Sequence, residues 1–101
     1  DIVASTDLTA AGANIILFST GRGTPLGAPA PTIKISSNHP LAEKKAGWID
    51  FDAARLLDEP SDKVRDALLE QICDICSGKA QAKNETNGYR EIAIFKDGVT
   101  L

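Results

Sequence analysis

A chain of 101 residues is long enough for one domain, because two separate cores would leave each half too small to bury a stabilising apolar surface. Its 43% hydrophobic and 25% charged residues are typical of a folded globular protein. The net charge of −3 and the scattered basic residues argue against nucleic-acid binding, and no apolar run is long enough for a membrane span or a secretion signal. We expect one cytoplasmic domain over residues 1–101.

The first half of the chain is predicted to alternate between helices and strands. Apolar runs and period-two alternation indicate the strands, and capping residues and glycines indicate the helix ends. The predicted elements are a helix over 6–11 capped by Ser5 and ended by Gly12, a strand over 14–19, a strand over 32–36, a helix over 40–46 capped by Ser37 or Asn38, and a strand over 48–51. The continuous apolar run at 14–19 predicts a strand that is covered on both faces.

The second half is predicted to contain one long helix over 61–77, capped by Ser61 and carrying an apolar stripe at helical spacing. A polar and mobile stretch is predicted over 81–88, followed by a fourth strand over 90–95. The alternation indicates an α/β layered domain with a mainly parallel sheet of about four or more strands flanked by helices. Ligands of such sheets bind beyond the carboxyl ends of the strands.

The two cysteines, Cys73 and Cys76, fall near the end of the long helix. A structural zinc site needs about four ligands, and no second Cys or His pair exists to complete one. In a thioredoxin-like motif the first cysteine lies at a helix start rather than near its end. We expect two small buried helix residues.

The loop from Thr20 to Pro31 contains three glycines and three prolines, so neither a helix nor a ladder strand can run through it. Gly21 and Gly23 leave main-chain amides open to close approach, and Arg22 offers a forked cation that suits a carboxylate or phosphate. Hydroxyl groups flank this segment at Thr20 and Thr24. The pattern indicates an anion-binding loop, and the alternative is a rigid connector.

Lys34 alternates with two isoleucines on a predicted strand, so its side chain leaves the sheet on the opposite face. A lysine under a covered face needs a partner or a purpose, whereas on an edge strand it would point into solvent. His39, the only histidine, follows Asn38 at a strand end. It is either incidental or a general acid or base.

Asp50 and Asp52 flank Phe51 after a predicted strand, and alternation turns both carboxylates the same way. Paired carboxylates can hold a divalent metal or act as acid and base. The alternative is that they cap the following turn over 53–57.

Several segments resemble the C-terminal region of the altronate/galactarate dehydratase family, in the order in which that family has them. The matching segments are Leu17 to Pro25, Pro31 to Asn38, Trp48 to Ala53, Tyr89 to Lys96 and Gly98 to Leu101. The resemblance implies a Rossmann-like domain of a hydro-lyase, which dehydrates a sugar acid such as D-altronate or D-galactarate to a 2-keto-3-deoxy acid. It also implies a divalent metal, typically Fe²⁺, and N-terminal and middle domains that are missing here. The start at Asp1 rather than Met fits a fragment of a longer protein.

On this resemblance, Arg22 and the amides of Gly21 and Gly23 bind a substrate carboxylate, and Thr20 and Thr24 contact substrate hydroxyls. Lys34, lining the pocket together with Asn38, and His39 are the catalytic candidates, and Asp50 is the metal candidate. Since these residues form no complete metal site, the remaining ligands belong to the other domains. A homodimer is possible. The rival hypotheses are a non-catalytic module that binds a small acid or phosphate, and a dimerisation domain.

Overall fold

The computed structural model describes residues 2–92, which form a small parallel sheet flanked by helices. The elements of this part of the chain are α1 (Ile2–Ala10), β1 (Ile16–Thr20), β2 (Thr32–Ser36), α2 (His39–Lys44), β3 (Phe51–Asp52), a 3₁₀ helix (Ala53–Leu57), α3 (Ser61–Cys76) and α4 (Lys83–Asn87). No helix among them is long and apolar enough to cross a membrane. The predicted α/β class is confirmed.

The three described strands are parallel and lie in the order β1-β2-β3, so β2 is the central strand. Phe18 pairs with Lys34 in the register, and Ser36 pairs with Thr20 on one side and Asp52 on the other. The carboxyl ends of the three strands therefore meet at one edge of the sheet. The described part of the predicted fourth strand, residues 90–92, is not a strand, and residues 93–95 lie outside the described residues.

The core forms where α3 and the start of α4 pack on the central strand. Ile33, Ile75 and Ala82 are its buried centre, and Ile35 and Ile72 pack against them. Full burial of a side chain such as Ile33 is worth roughly 1.5–3 kcal/mol. The predicted apolar stripe of α3 is thus the face that stabilises the sheet.

Three predictions about burial and order are wrong. β1 is covered on one face only, because Ile16 is 5% exposed whereas Leu17, on the opposite face, is 51% exposed. Cys73 and Cys76 are exposed, because Ile72 and Ile75 occupy the core-facing positions in that part of α3. The stretch 81–88, predicted to be mobile, contains α4.

Distant contacts give α4 its order. The side chain of Asp50 accepts a hydrogen bond from the main-chain N–H of Lys83 (2.8 Å), and the ammonium group of Lys83 donates to the carbonyl of Ile49 (2.7 Å). Asn84 is 1% exposed and donates to the carbonyls of Leu26 and Thr32. Composition alone predicted a polar and mobile stretch because all of these partners lie more than 30 residues away in the sequence.

The element boundaries also differ in places. Pro60, not Ser61, precedes the first turn of α3, and no side chain caps that helix. The third strand is shorter than predicted and begins at Phe51. The strand predicted over 32–36 and the cap at Asn38 are confirmed.

Candidate functional site

A tight turn at the carboxyl end of β1 carries the predicted anion-binding residues. The hydroxyl oxygen of Thr20 accepts a hydrogen bond from the N–H of Gly23 (2.9 Å), which closes the turn. Gly23 has a φ of +86°, and a Cβ atom there would lie 2.8 Å from a methyl group of Leu41. Both the backbone conformation and the close approach of α2 therefore require glycine at this position.

Asn38 fastens this turn to the start of α2. Its amide nitrogen donates to the carbonyl of Gly21 (3.0 Å), and its amide oxygen accepts from the N–H of Leu41 (2.8 Å) as the helix cap. The N–H of Ser37 donates to the carbonyl of Thr20 (3.0 Å). Because both ends of its amide have protein partners, Asn38 positions the turn rather than offering a free group to a ligand.

The turn presents hydrogen-bond donors that have no acceptor among residues 2–92. The guanidinium of Arg22 is exposed and has no hydrogen bond or ion pair there, and the N–H groups of Gly21, Arg22 and Thr24 have no acceptor there. The hydroxyls of Thr20 and Thr24 accept main-chain N–H groups, so their own O–H groups stay available to donate. An array that is rich in donors suits an anion.

These donors surround an open depression of about 560 Å³. Its walls are the consecutive residues Leu17 to Thr24. A single stretch of chain therefore lines the whole depression, and the expected open amide at Gly23 is instead used inside the turn. The main-chain N–H groups without an acceptor among residues 2–92 are those of Gly21, Arg22 and Thr24.

Lys34 lies beneath the depression, in the interior of the protein. It is 0% exposed, its ammonium donates to the carbonyl of Thr24, and its Nζ lies 5.6 Å from the centre of the Phe18 ring. Desolvation lowers the pKa of Lys34, while the negative charges of Asp50 and Glu91 act in the opposite direction. The edge-strand alternative is wrong because β2 is central. The structure favours a lysine that supports the turn from below.

His39 forms a cluster with two carboxylates that the sequence did not indicate as its partners. Its Nδ1 lies 2.5 Å from an oxygen of Asp52, and its Nε2 lies 3.0 Å from an oxygen of Asp58. Hydrogen bonds to Asp52 and then Asp58 raise the pKa of His39. A neutral imidazole donates through one nitrogen only, so two facing carboxylates indicate the imidazolium form. These partners were missed because they lie 13 and 19 residues away.

Asp50 connects three elements of the fold through its carboxylate and its main-chain carbonyl. One oxygen accepts the N–H of Lys34 (2.8 Å) and the other accepts the N–H of Lys83 (2.8 Å). Its main-chain carbonyl accepts from the side chain of Gln71 (2.8 Å). Asp52 instead caps the 3₁₀ helix through the N–H of Ala54 (2.9 Å), as the capping alternative predicted. The metal role of Asp50 stays a prediction.

The chain is similar to known sugar-acid dehydratases over its whole length. The sequence profile of the family "D-galactarate/Altronate dehydratase, C-terminal" matches residues 1–100. The chain is 48% identical to an altronate dehydratase of Escherichia coli (strain K12) and 43% identical to one of Bacillus subtilis (strain 168), with 100% of the chain aligned in both cases. It is 32% identical over 94% of its length to a galactarate dehydratase (L-threo-forming) of E. coli. The chain spans about a fifth of the length of these relatives.

Proposed function

The chain belongs to the D-galactarate/altronate dehydratase C-terminal family, and we propose that it is the C-terminal domain of a hydro-lyase. The proposed substrate is D-altronate or D-galactarate, and the product is the corresponding 2-keto-3-deoxy acid. The N-terminal and middle domains of the same polypeptide would complete the enzyme. A cytoplasmic location and a homodimer stay predictions.

The observation that carries this proposal is the donor-rich turn at the carboxyl end of β1, which Asn38 fastens to the start of α2 next to His39. A sugar acid offers a carboxylate beside several hydroxyl groups, and all of these oxygens accept hydrogen bonds. The guanidinium of Arg22 suits the carboxylate because it can donate two parallel hydrogen bonds. The N–H groups of Gly21 and Thr24 and the two threonine hydroxyls would bind the remaining oxygens.

Dehydration removes the proton next to the carboxylate and expels the neighbouring hydroxyl group as water. The leaving hydroxyl needs a proton, and His39 is the candidate donor because its imidazolium form is stabilised by Asp52 and Asp58. Asp58 is the more exposed of the two carboxylates, so it is the one that can move aside to free Nε2. The base that removes the proton would come from another domain.

Lys34 is assigned a positioning role in this proposal. Its side chain is fully buried, and its ammonium already donates to the carbonyl of Thr24. It therefore holds the turn that carries the donors without reaching the depression. A catalytic role for Lys34 stays a prediction.

The family resemblance implies a divalent metal, with Fe²⁺ as the expected ion. Residues 2–92 contain no group of three or more His, Cys, Asp or Glu side chains placed to hold a metal ion. Both carboxylate oxygens of Asp50 already accept main-chain N–H groups. The described residues alone thus do not fit a metal centre, and we derive no step through one. Most ligands of any such metal would belong to the other domains.

The same donor array also supports a second candidate, a module that binds a small acid without catalysis. The array is formed by consecutive residues of this chain and needs no metal or second domain to assemble. This candidate predicts binding of a small acid that is independent of metal.

The test is turnover by the full-length protein that carries this chain. After chelation, the protein is assayed on D-altronate and on D-galactarate with and without added ferrous iron, by following 2-keto-3-deoxy acid formation. Iron-dependent turnover of either acid is the expected result. No turnover, together with calorimetric binding of either acid, would replace the proposal by the binding module. If the protein showed no turnover and no binding of either acid, both candidate functions would be overturned.

A further inference from the structure

The last turn of α3 carries two thiols that the proposed dehydratase chemistry does not use. Cys73 and Cys76 are the only cysteines of the chain, both are free, and both are exposed. They lie one helical turn apart, so their side chains are neighbours on the helix surface. Cys76 also borders a cavity of about 360 Å³ beside Ile15 and Pro31. A small reagent can therefore reach both sulfur atoms.

The spacing of the two residues is close to that of a disulfide. Helix geometry places Cα atoms three residues apart at about 5 Å, within the range of roughly 4.4–6.8 Å found in disulfides. The Cβ atoms of such a pair are about 5–6 Å apart, whereas a disulfide needs about 3.5–4.5 Å. Closure therefore requires a shift of about 1–2 Å in this turn.

The end of α3 is the part of the helix where such a shift is easiest. Cys76 is the last helical residue, and Gly78 follows with a φ of +81°. Four main-chain hydrogen bonds hold this end of the helix: the N–H of Ser77 donates to the carbonyl of Cys73 (2.9 Å), that of Gly78 to Ile75 (3.3 Å), and those of Lys79 and Ala80 to Asp74 (2.9 and 3.1 Å). Helix termini open locally at lower free energy than helix centres.

We propose that Cys73 and Cys76 form a reversible redox site that closes to an intrachain disulfide by exchange with a low-molecular-mass disulfide of the glutathione disulfide class. One thiolate attacks a sulfur of the small disulfide, which forms a mixed disulfide and releases one small thiol. The second cysteine then attacks the protein sulfur of the mixed disulfide and releases the second small thiol. The protein loses two electrons and two protons, and the small disulfide is reduced to two thiols.

The position of the pair connects its redox state to the core. Ile75 lies between the two cysteines in the sequence, is buried, and packs with Ile33 and Ala82. Tightening the turn displaces the backbone that holds Ile75. Oxidation should therefore lower the melting temperature by several degrees, because displacing a buried core side chain from its packing destabilises the folded state.

Mass spectrometry tests the proposal directly, because trypsin releases both cysteines on one peptide, residues 66–79. The folded protein is treated with glutathione disulfide, free thiols are blocked, and this peptide is analysed. We expect the protein with both cysteines to give a peptide that is two hydrogen atoms lighter than its dithiol form. The Cys73→Ser and Cys76→Ser variants should each retain one glutathione adduct. A peptide with two adducts, or an unreacted dithiol while the variants form adducts, would overturn the proposal.

The melting temperature tests the connection to the core. We expect the oxidised protein to melt several degrees below the reduced one, and added reductant to restore the original value. The double variant Cys73→Ser/Cys76→Ser, treated in the same way, is the control, and its melting temperature should not change. An oxidised protein that melts at or above the temperature of the reduced one would refute the connection. Neither test depends on dehydratase activity, so failure here is distinguishable from failure of the proposed function.

Discussion

Asp50 should be essential to the fold, because its carboxylate accepts N–H groups from two separate elements. Hydrogen bonds to a charged group contribute about 1.5–3 kcal/mol each, so Asp50→Ala, which leaves the N–H groups of Lys34 and Lys83 without acceptors, should cost about 3–6 kcal/mol. That is a large part of the roughly 5–15 kcal/mol that stabilises a typical domain. At about 4–8 °C per kcal/mol, the melting temperature should fall by at least about 12 °C. Asp50→Asn retains one acceptor oxygen and should lose about half as much.

The assay is thermal and urea unfolding of the metal-free protein, with Asp66→Ala as the matched control. Asp66 is exposed and, among residues 2–92, pairs only with the neighbouring Arg65, so its replacement should change stability by no more than about 0.5 kcal/mol. If Asp50→Ala melted within about 4 °C of the unmodified protein, the structural role derived from its two hydrogen bonds would be wrong. If Asp50→Ala were less stable than the unmodified protein only when ferrous iron is present, the predicted metal role would instead be supported.

The remaining predictions concern His39 and two glycines. Because His39 is the only histidine, its NMR titration is unambiguous: the pKa should lie above 6.5 and fall toward that value in Asp52→Asn. The stability that comes from a raised histidine pKa is present below pH 6.5 and is lost as the pH rises through the folded-state pKa; a titration at or below 6.5 would contradict the cluster. Gly27→Ala should destabilise the protein by about 1–3 kcal/mol or more in thermal unfolding, since its Cβ would lie 1.9 Å from the carbonyl oxygen of Tyr89. Gly47→Ala, which meets open space, should be neutral or slightly stabilising, and equal effects of the two changes would contradict the close packing at Gly27.

Local signals in the sequence predicted the parts of the fold that depend on local physics. The alternation over 32–36 gave the bounds of β2, and Asn38 caps α2 because its short side chain reaches the N–H groups of the first turn. Gly12 ends α1 in a left-handed conformation, as a glycine after a helix predicts. These features involve residues within a few positions of each other.

The features that the sequence did not reveal depend on contacts between distant residues. An apolar run does not distinguish an edge strand from a central one, so the exposure of Leu17 was missed. The order of α4 depends on Asp50, which lies 33 residues before Lys83. The pairing of His39 with Asp58 likewise depends on the fold bringing them together. The turn at Arg22 was recognised because its glycines and hydroxyls are consecutive.

The most direct test of the proposed site is the turnover of the full-length protein with Arg22→Ala, compared with Arg65→Ala as the control for loss of an exposed arginine elsewhere. Loss of a charged hydrogen bond of about 1.5–3 kcal/mol corresponds to a fall in kcat/KM of about 10- to 150-fold on the preferred sugar acid. We expect this fall for Arg22→Ala with little change in melting temperature, and an unchanged kcat/KM for Arg65→Ala. A kcat/KM for Arg22→Ala within about twofold of the unmodified protein would contradict the account, because the expected loss is at least about tenfold.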